Sequence, residues 1–260
     1  MSMPDNTSQK NEQKLWNDEL GGFVFVSYEP NNLYFQEFSD INSIDVIRVF
    51  YLFPHMNYKG YLVCEDIPMT KKAMFNVFNS NGNSFSKSRF YIFLKKLVDT
   101  GIINYEGYEN KKIKFNSKYF FKGKLPDSVK MNNGFTRVYI DSIKHLFENT
   151  TYYQQRKIGV LFKMIPFIHK ESNIISYDPN SSEDCIEPIG IERLSKALGY
   201  NINSFHLFLK GLQEIRLQNG EPFMIMNNST VGRFFVMINP RVVYGGNSVL
   251  KWYGKFLRNI

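Results

Sequence analysis

Cysteine is nearly absent. The chain of 260 residues holds two, Cys64 and Cys185, too few for a disulfide framework and in no C-x-x-C pair of the kind that binds zinc or carries redox chemistry. A reducing compartment fits that usage. Histidine is also scarce: His55, His145, His169 and His206 stand singly, with no H-E-x-x-H and no His-hydrophobic-His spacing for a metal-dependent nicking site. No Gly-rich phosphate loop ends in Lys-Ser/Thr, and no G-x-S-x-G is present. Arg156 and His169 lack the second Arg, three positions after the His, that a recombinase motif requires. The acids Glu65–Asp66 and Glu183–Asp184 are neighbours in sequence, an arrangement that seldom converges on one substrate. The first twenty residues carry no apolar core, and every apolar run falls far short of the roughly 18 residues that cross a bilayer, which argues against secretion and membrane insertion. These absences point to a binding protein rather than an enzyme, with no metal, cofactor, membrane or small-molecule substrate expected.

What the chain has is apolar and aromatic mass. Hydrophobic residues make up 43% and aromatic residues 16% against 22% charged, enough to bury substantial cores. The length suits one large domain or two of ordinary size. An internal duplication selects two. Residues 22–26 (GFVFV) answer 134–138 (GFTRV), and 47–54 (IRVFYLFP) answer 159–166 (GVLFKMIP), both 112 positions apart. Residues 68–78 answer 188–198, 90–97 (FYIFLKKL) answer 205–212 (FHLFLKGL), and 115–123 answer 237–246. The offset changes where loops belong, notably in the polar insert 173–187. The expected organisation is a flexible tail 1–21, a first unit 22–123, a linker 124–133, a second unit 134–246 and a C-terminal amphipathic basic helix 247–260.

Within the first unit, apolar periodicity predicts one helix over 44–56, a short second helix over 69–78, and a third opened by Ser86 that buries Phe90, Phe93, Leu94 and Leu97. Residues 102–105 and 111–115 alternate apolar with polar on either side of a turn, as a β-hairpin does. The predicted unit is a winged helix, and the predicted fold class is α+β with two such units in tandem. Residues 86–103 (SKSRFYIFLKKLVDTGII) resemble the recognition helix and wing entry of bacterial winged-helix proteins. Two units in one chain resemble the tandem winged-helix replication initiators of plasmids and phages, a likeness that covers most of residues 22–246. The resemblance implies duplex DNA as partner, and a cytoplasmic, nucleoid-associated place.

The charge supports that direction. Lys and Arg number 32 against 24 Asp and Glu, a net +8. Residues 71–124 alone hold eleven Lys and Arg89 against Asp99, Glu106 and Glu109, a local +9, so the rest of the chain is near −1. Such focusing is the footprint of a phosphate-contacting face. In the third helix, Lys87 and Arg89 are expected to donate to guanine edges and Ser86 and Ser88 to bond base or phosphate, with Tyr91 and Lys95 also facing outward. Lys71 and Lys72 suit the DNA backbone, and Lys111, Lys112 and Lys114 in the wing suit phosphate or minor-groove contact. The second unit offers Asn203, Ser204, His206 and Lys210 on its corresponding helix and Arg233 on its wing, so the first unit is expected to be the main reader. Sequence-specific duplex binding, in replication initiation or transcription regulation, is the leading expectation. An assembly or adaptor protein whose winged helices bind other proteins is the alternative. The C-terminal segment or the second unit is the candidate homodimer surface.

Overall fold

Short strands and α-helices of 7 to 14 residues follow one another along the described chain, most of them separated by polar turns. The computed structural model describes residues 6–28, 38, 40–80, 85–107, 112–127, 134–228, 234–246 and 249–258. In the first half, α1 (Asn6–Glu19) leads into β1 (Phe23–Tyr28), followed by α2 (Ser43–Tyr51) and a 3₁₀ turn at Phe53–His55. A small hairpin, β2 (Val63–Cys64) and β3 (Ile67–Pro68), precedes α3 (Lys71–Asn79) and α4 (Lys87–Asp99). A second hairpin, β4 (Ile103–Glu106) and β5 (Lys112–Phe115), and the short β6 (Phe120–Phe121) complete the half.

Local chemistry sets these boundaries. Thr70 caps α3 by accepting from the Ala73 N–H at 3.1 Å, and Ser86 caps α4 by accepting from the Arg89 N–H at 3.4 Å. Helix α4 stops at Gly101, whose φ of +69° closes a Schellman turn: the Gly101 N–H bonds the Val98 carbonyl and the Ile102 N–H bonds Leu97. Ile102 is thereby turned into the core and the chain is aimed into β4.

The second half runs β7 (Gly134–Tyr139), α5 (Ile140–Glu148), α6 (Tyr152–Phe162), a 3₁₀ turn at Ile165–Phe167, another at Glu183–Cys185, α7 (Ile191–Ala197) and α8 (Ile202–Gln213). The hairpin β8 (Met224–Asn228) and β9 (Phe234–Ile238), the short β10 (Val243–Tyr244) and α9 (Val249–Leu257) end the chain. The architecture is α+β with small antiparallel sheets. Strands β1 and β7 pair antiparallel at the centre of a four-stranded sheet of order β10-β7-β1-β6, so each half adds its own last strand at its own edge. In the central pair Phe25 lies opposite Arg137, a residue 112 positions away, and the rings of Phe50 and Phe162, also 112 apart, meet at 4.9 Å.

One continuous core runs through both halves. Helix α2 packs along α6, and the buried cluster joins Val24, Phe50 and Leu94 of the first half to Ile158, Phe162 and Leu209 of the second. Gly159 is the point of closest approach: a Cβ there would lie 1.7 Å from the Ser43 carbonyl oxygen, so only glycine admits this contact. Residues 128–133 of the expected linker lie outside the described residues, and Leu125 before them is buried.

One expectation for the termini is corrected. Residues 6–19 form a helix where a flexible tail was expected, and Trp16 and Leu20 are buried with Tyr139, Tyr244 and Phe256. Few apolar residues mark that helix, so the sequence pattern reads as tail; the anchoring comes from two side chains and a distant surface. The C-terminal helix does form, but Phe256 is wholly buried against its own chain and Lys251 pairs with Glu183 at 2.6 Å. Phe256 thus docks this helix on its own chain, while Leu257 beside it is exposed. No helix among the described residues is long and apolar enough to cross a membrane.

Candidate nucleic-acid interface

The outer face of α4 follows from the side that is buried. Phe90, Phe93, Leu94 and Leu97 turn inward, so the opposite line of the helix is Ser88, Ile92, Lys95 and Asp99, spaced i, i+4, i+7, i+11, and all four are exposed. Lys87, Arg89 and Tyr91 are exposed on the flanks of that line. Ser86 is spent on the cap, and its hydroxyl also lies 3.4 Å from that of Ser88.

Lys71 and Lys72 are exposed in the first turn of α3, and the Lys71 ammonium sits 4.8 Å above the Tyr105 ring of the following hairpin. Burial, with Tyr91 nearby adding to it, holds the Tyr105 hydroxyl above its ordinary pKa. Four cations, Lys71, Lys72, Lys87 and Arg89, thus crowd the N-terminal turns of two helices that carry no acid there. The positive end of a helix disfavours cations by roughly 0.3–1 kcal/mol each, a local cost that an anionic partner removes.

The hairpin β4–β5 divides its lysines. Lys112 is exposed, its ammonium 5.9 Å from the Tyr61 ring. Lys114 is half-buried and pairs with Glu106 at 3.1 Å, and the Tyr61 hydroxyl donates to the same carboxylate at 2.7 Å. That bond from Tyr61, with Lys114 second, keeps the Glu106 carboxyl below its usual pKa and raises that of Tyr61. Lys114 is therefore a structural member of the hairpin, not the free phosphate contact expected of it. Lys114 pairs across the strands with Asn104, two residues from Glu106 and on the same face of β4, and this register brings the charges together. Lys111 lies outside the described residues.

The corresponding helix of the second half, α8, is built to the same plan. Phe205, Phe208, Leu209 and Leu212 are buried, and the opposite line is Asn203, Leu207, Lys210 and Glu214, all exposed. Position by position, this line repeats the first: a small polar residue, an aliphatic one, a lysine and an acid. Asn201 caps α8, accepting from the Asn203 N–H at 3.0 Å, while the Ser204 hydroxyl donates back to the Asn201 carbonyl at 2.9 Å. Ser204 is thus tied to the cap, whereas His206 is exposed beside the outer line. Arg233 lies outside the described residues.

Both halves also turn from the hairpin to the edge strand through an asparagine. Asn116 donates to the Gly101 carbonyl at 2.8 Å and accepts from the Lys118 N–H at 2.9 Å; Asn239 donates to Pro222 at 3.0 Å and accepts from the Arg241 N–H at 2.9 Å. These are the asparagines of the Asn-x-x-Tyr and Asn-x-x-Val runs in the landmark pair 115–123 and 237–246. No cluster of three or more metal-ligating side chains occurs among the described residues. Family models, curated proteins and solved structures were all compared with the chain, and none of them matches it.

Proposed function

We propose that this chain is a sequence-specific duplex DNA-binding protein made of two winged-helix units that arose by duplication, acting in replication initiation or transcription regulation. The observation that carries the reading is the cluster of exposed cations, Lys71, Lys72, Lys87, Arg89, Lys95 and Lys112, on two helices and the adjoining hairpin of the first half. A helix presenting its outer line from behind a capped first turn, with a two-stranded hairpin beside it, has the parts of a groove-reading helix and a wing. Duplication is supported by the repeated order of elements, by the matching asparagine turns, and by Phe25–Arg137 and Phe50–Phe162, where equivalent residues meet each other. Equivalent residues in mutual contact are what a two-fold relation between the halves produces.

Lysine and arginine on phosphates release condensed counterions, so the logarithm of affinity falls with the logarithm of salt at about −0.9 per phosphate neutralised. Six exposed cations on this face set an expected slope of about −4 to −6 by that rule. The test is a titration of duplex by the full chain at several salt concentrations. Affinity that stays constant from low to moderate salt overturns the reading.

A further inference from the structure

The outer lines of α4 and α8 each place one large aliphatic side chain in water, Ile92 at 67% exposure and Leu207 at 71%. An exposed aliphatic residue needs no explanation singly. These two form an equivalent pair. Each stands one turn after a small polar residue (Ser88, Asn203) and one turn before a lysine (Lys95, Lys210), at the centre of the face opposite the core. The other exposed aliphatic residues among those described, Leu15, Ile67 and Leu257, have no such counterpart. Both side chains stand mostly clear of the core, and their recurrence at the centre of both outer lines fits an apolar partner outside the chain. In the major groove, the apolar feature that a helix can touch is the 5-methyl group of thymine.

We infer that Ile92 and Leu207 are specificity-determining residues, each covering the 5-methyl group of one thymine, so that the preferred duplex carries thymine at the equivalent position of both half-sites. The inference rests on duplex DNA being the partner. It also gives the second half a reading role alongside the more basic first half, with Ser88 and Asn203 placed to bond the neighbouring base edge and Lys95 and Lys210 the backbone.

The test uses the full chain and a preferred duplex selected from a random pool, with each thymine replaced in turn by deoxyuridine, which lacks only the methyl group. Wild-type protein is expected to lose about fourfold in affinity at one thymine per half-site, the worth of one buried methyl group. Ile92→Ala abolishes the loss at one of these thymines and keeps it at the other; Leu207→Ala does the reverse. Both variants change exposed positions, and unaltered thermal unfolding verifies that they fold. Duplex binding with no uracil-sensitive position, or with losses that survive in both variants, overturns this inference and leaves DNA binding standing. Absence of any salt-dependent duplex binding by the wild type overturns both.

Discussion

Gly159 couples the two halves, and replacing it by alanine tests whether they share one rigid core. A Cβ at this position lies 1.7 Å from the Ser43 carbonyl oxygen, with the Ser43 carbonyl carbon at 2.6 Å and its Cα at 3.3 Å. The obstacle is backbone, so no rotamer change relieves it. Contacts of this kind are essentially never below 3.0 Å, which requires α2 and α6 to separate by more than an ångström. A gap of roughly 0.5–1 Å already forfeits a quarter to a half of the dispersion energy between facing atoms. Overpacking of this type costs about 1–3 kcal/mol, occasionally more, and a clash with backbone belongs at the upper end. Against it stands the helix propensity of alanine over glycine, about 1 kcal/mol. The net expectation is a destabilisation of about 2 kcal/mol or more, read as a fall in Tm of about 4–8 °C for a chain of this size. Gly254 in α9 is the control, since a Cβ there meets nothing within 4 Å, and Gly254→Ala is expected to gain up to about 1 kcal/mol. Thermal unfolding followed by circular dichroism gives both values. A Gly159→Ala protein as stable as the wild type would show that α2 and α6 do not meet as described.

Three further outcomes are expected. Burial keeps the His55 imidazole below its ordinary value of 6.5, with Lys144 and Lys122 adding to the effect and a hydrogen bond with the Val63 backbone opposing it. On acidification the unfolded chain therefore takes up the proton first, so the stability due to neutral His55 is complete above about pH 6.5 and is lost as pH falls through the folded value. Urea midpoints should drop between about pH 7 and about pH 5 in the wild type and drop less in His55→Gln; equal slopes refute the assignment. Glu106→Gln removes a negative charge from the hairpin and releases Lys114, so duplex affinity at low salt should rise a few-fold with sequence preference unchanged; a fall in affinity counts against a phosphate-facing hairpin. Asn239 is wholly buried, and Asn239→Ala leaves the Arg241 N–H and the Pro222 carbonyl without partners, at about 2–4 kcal/mol, whereas the half-buried Asn116 should cost about 1–2 kcal/mol in the same substitution. Chemical denaturation ranks the two, and the reverse order would mean that burial does not decide the cost.

Periodicity places α4 and names its buried residues, and the match of 205–212 to 90–97 places α8, because one helical stripe of Phe and Leu suffices to bury a face. The +9 stretch and the capping Ser86 are likewise legible, since composition and cap chemistry act over a few residues. The ordered landmarks that suggest a duplication are legible too, down to the Asn-x-x-Tyr or Asn-x-x-Val that closes each, because they are local runs of residues. The stripe of Phe and Leu leaves Ile92 out, and the matched helix leaves Leu207 out, but only the packed structure shows that no other element covers either of them. Lys114 reads as a free cation until β4 pairs with β5 and sets it on Glu106 and Tyr61. The N-terminal helix carries too little apolar pattern to announce itself, and its order comes from Trp16 and Leu20 meeting residues more than a hundred positions away. Short-range chemistry therefore determines the caps, the hairpins and the helices other than the N-terminal one. The choice of which strands pair, which helices cross at Gly159, and which charges remain free belongs to tertiary packing, because those energies arise between residues that the sequence keeps far apart.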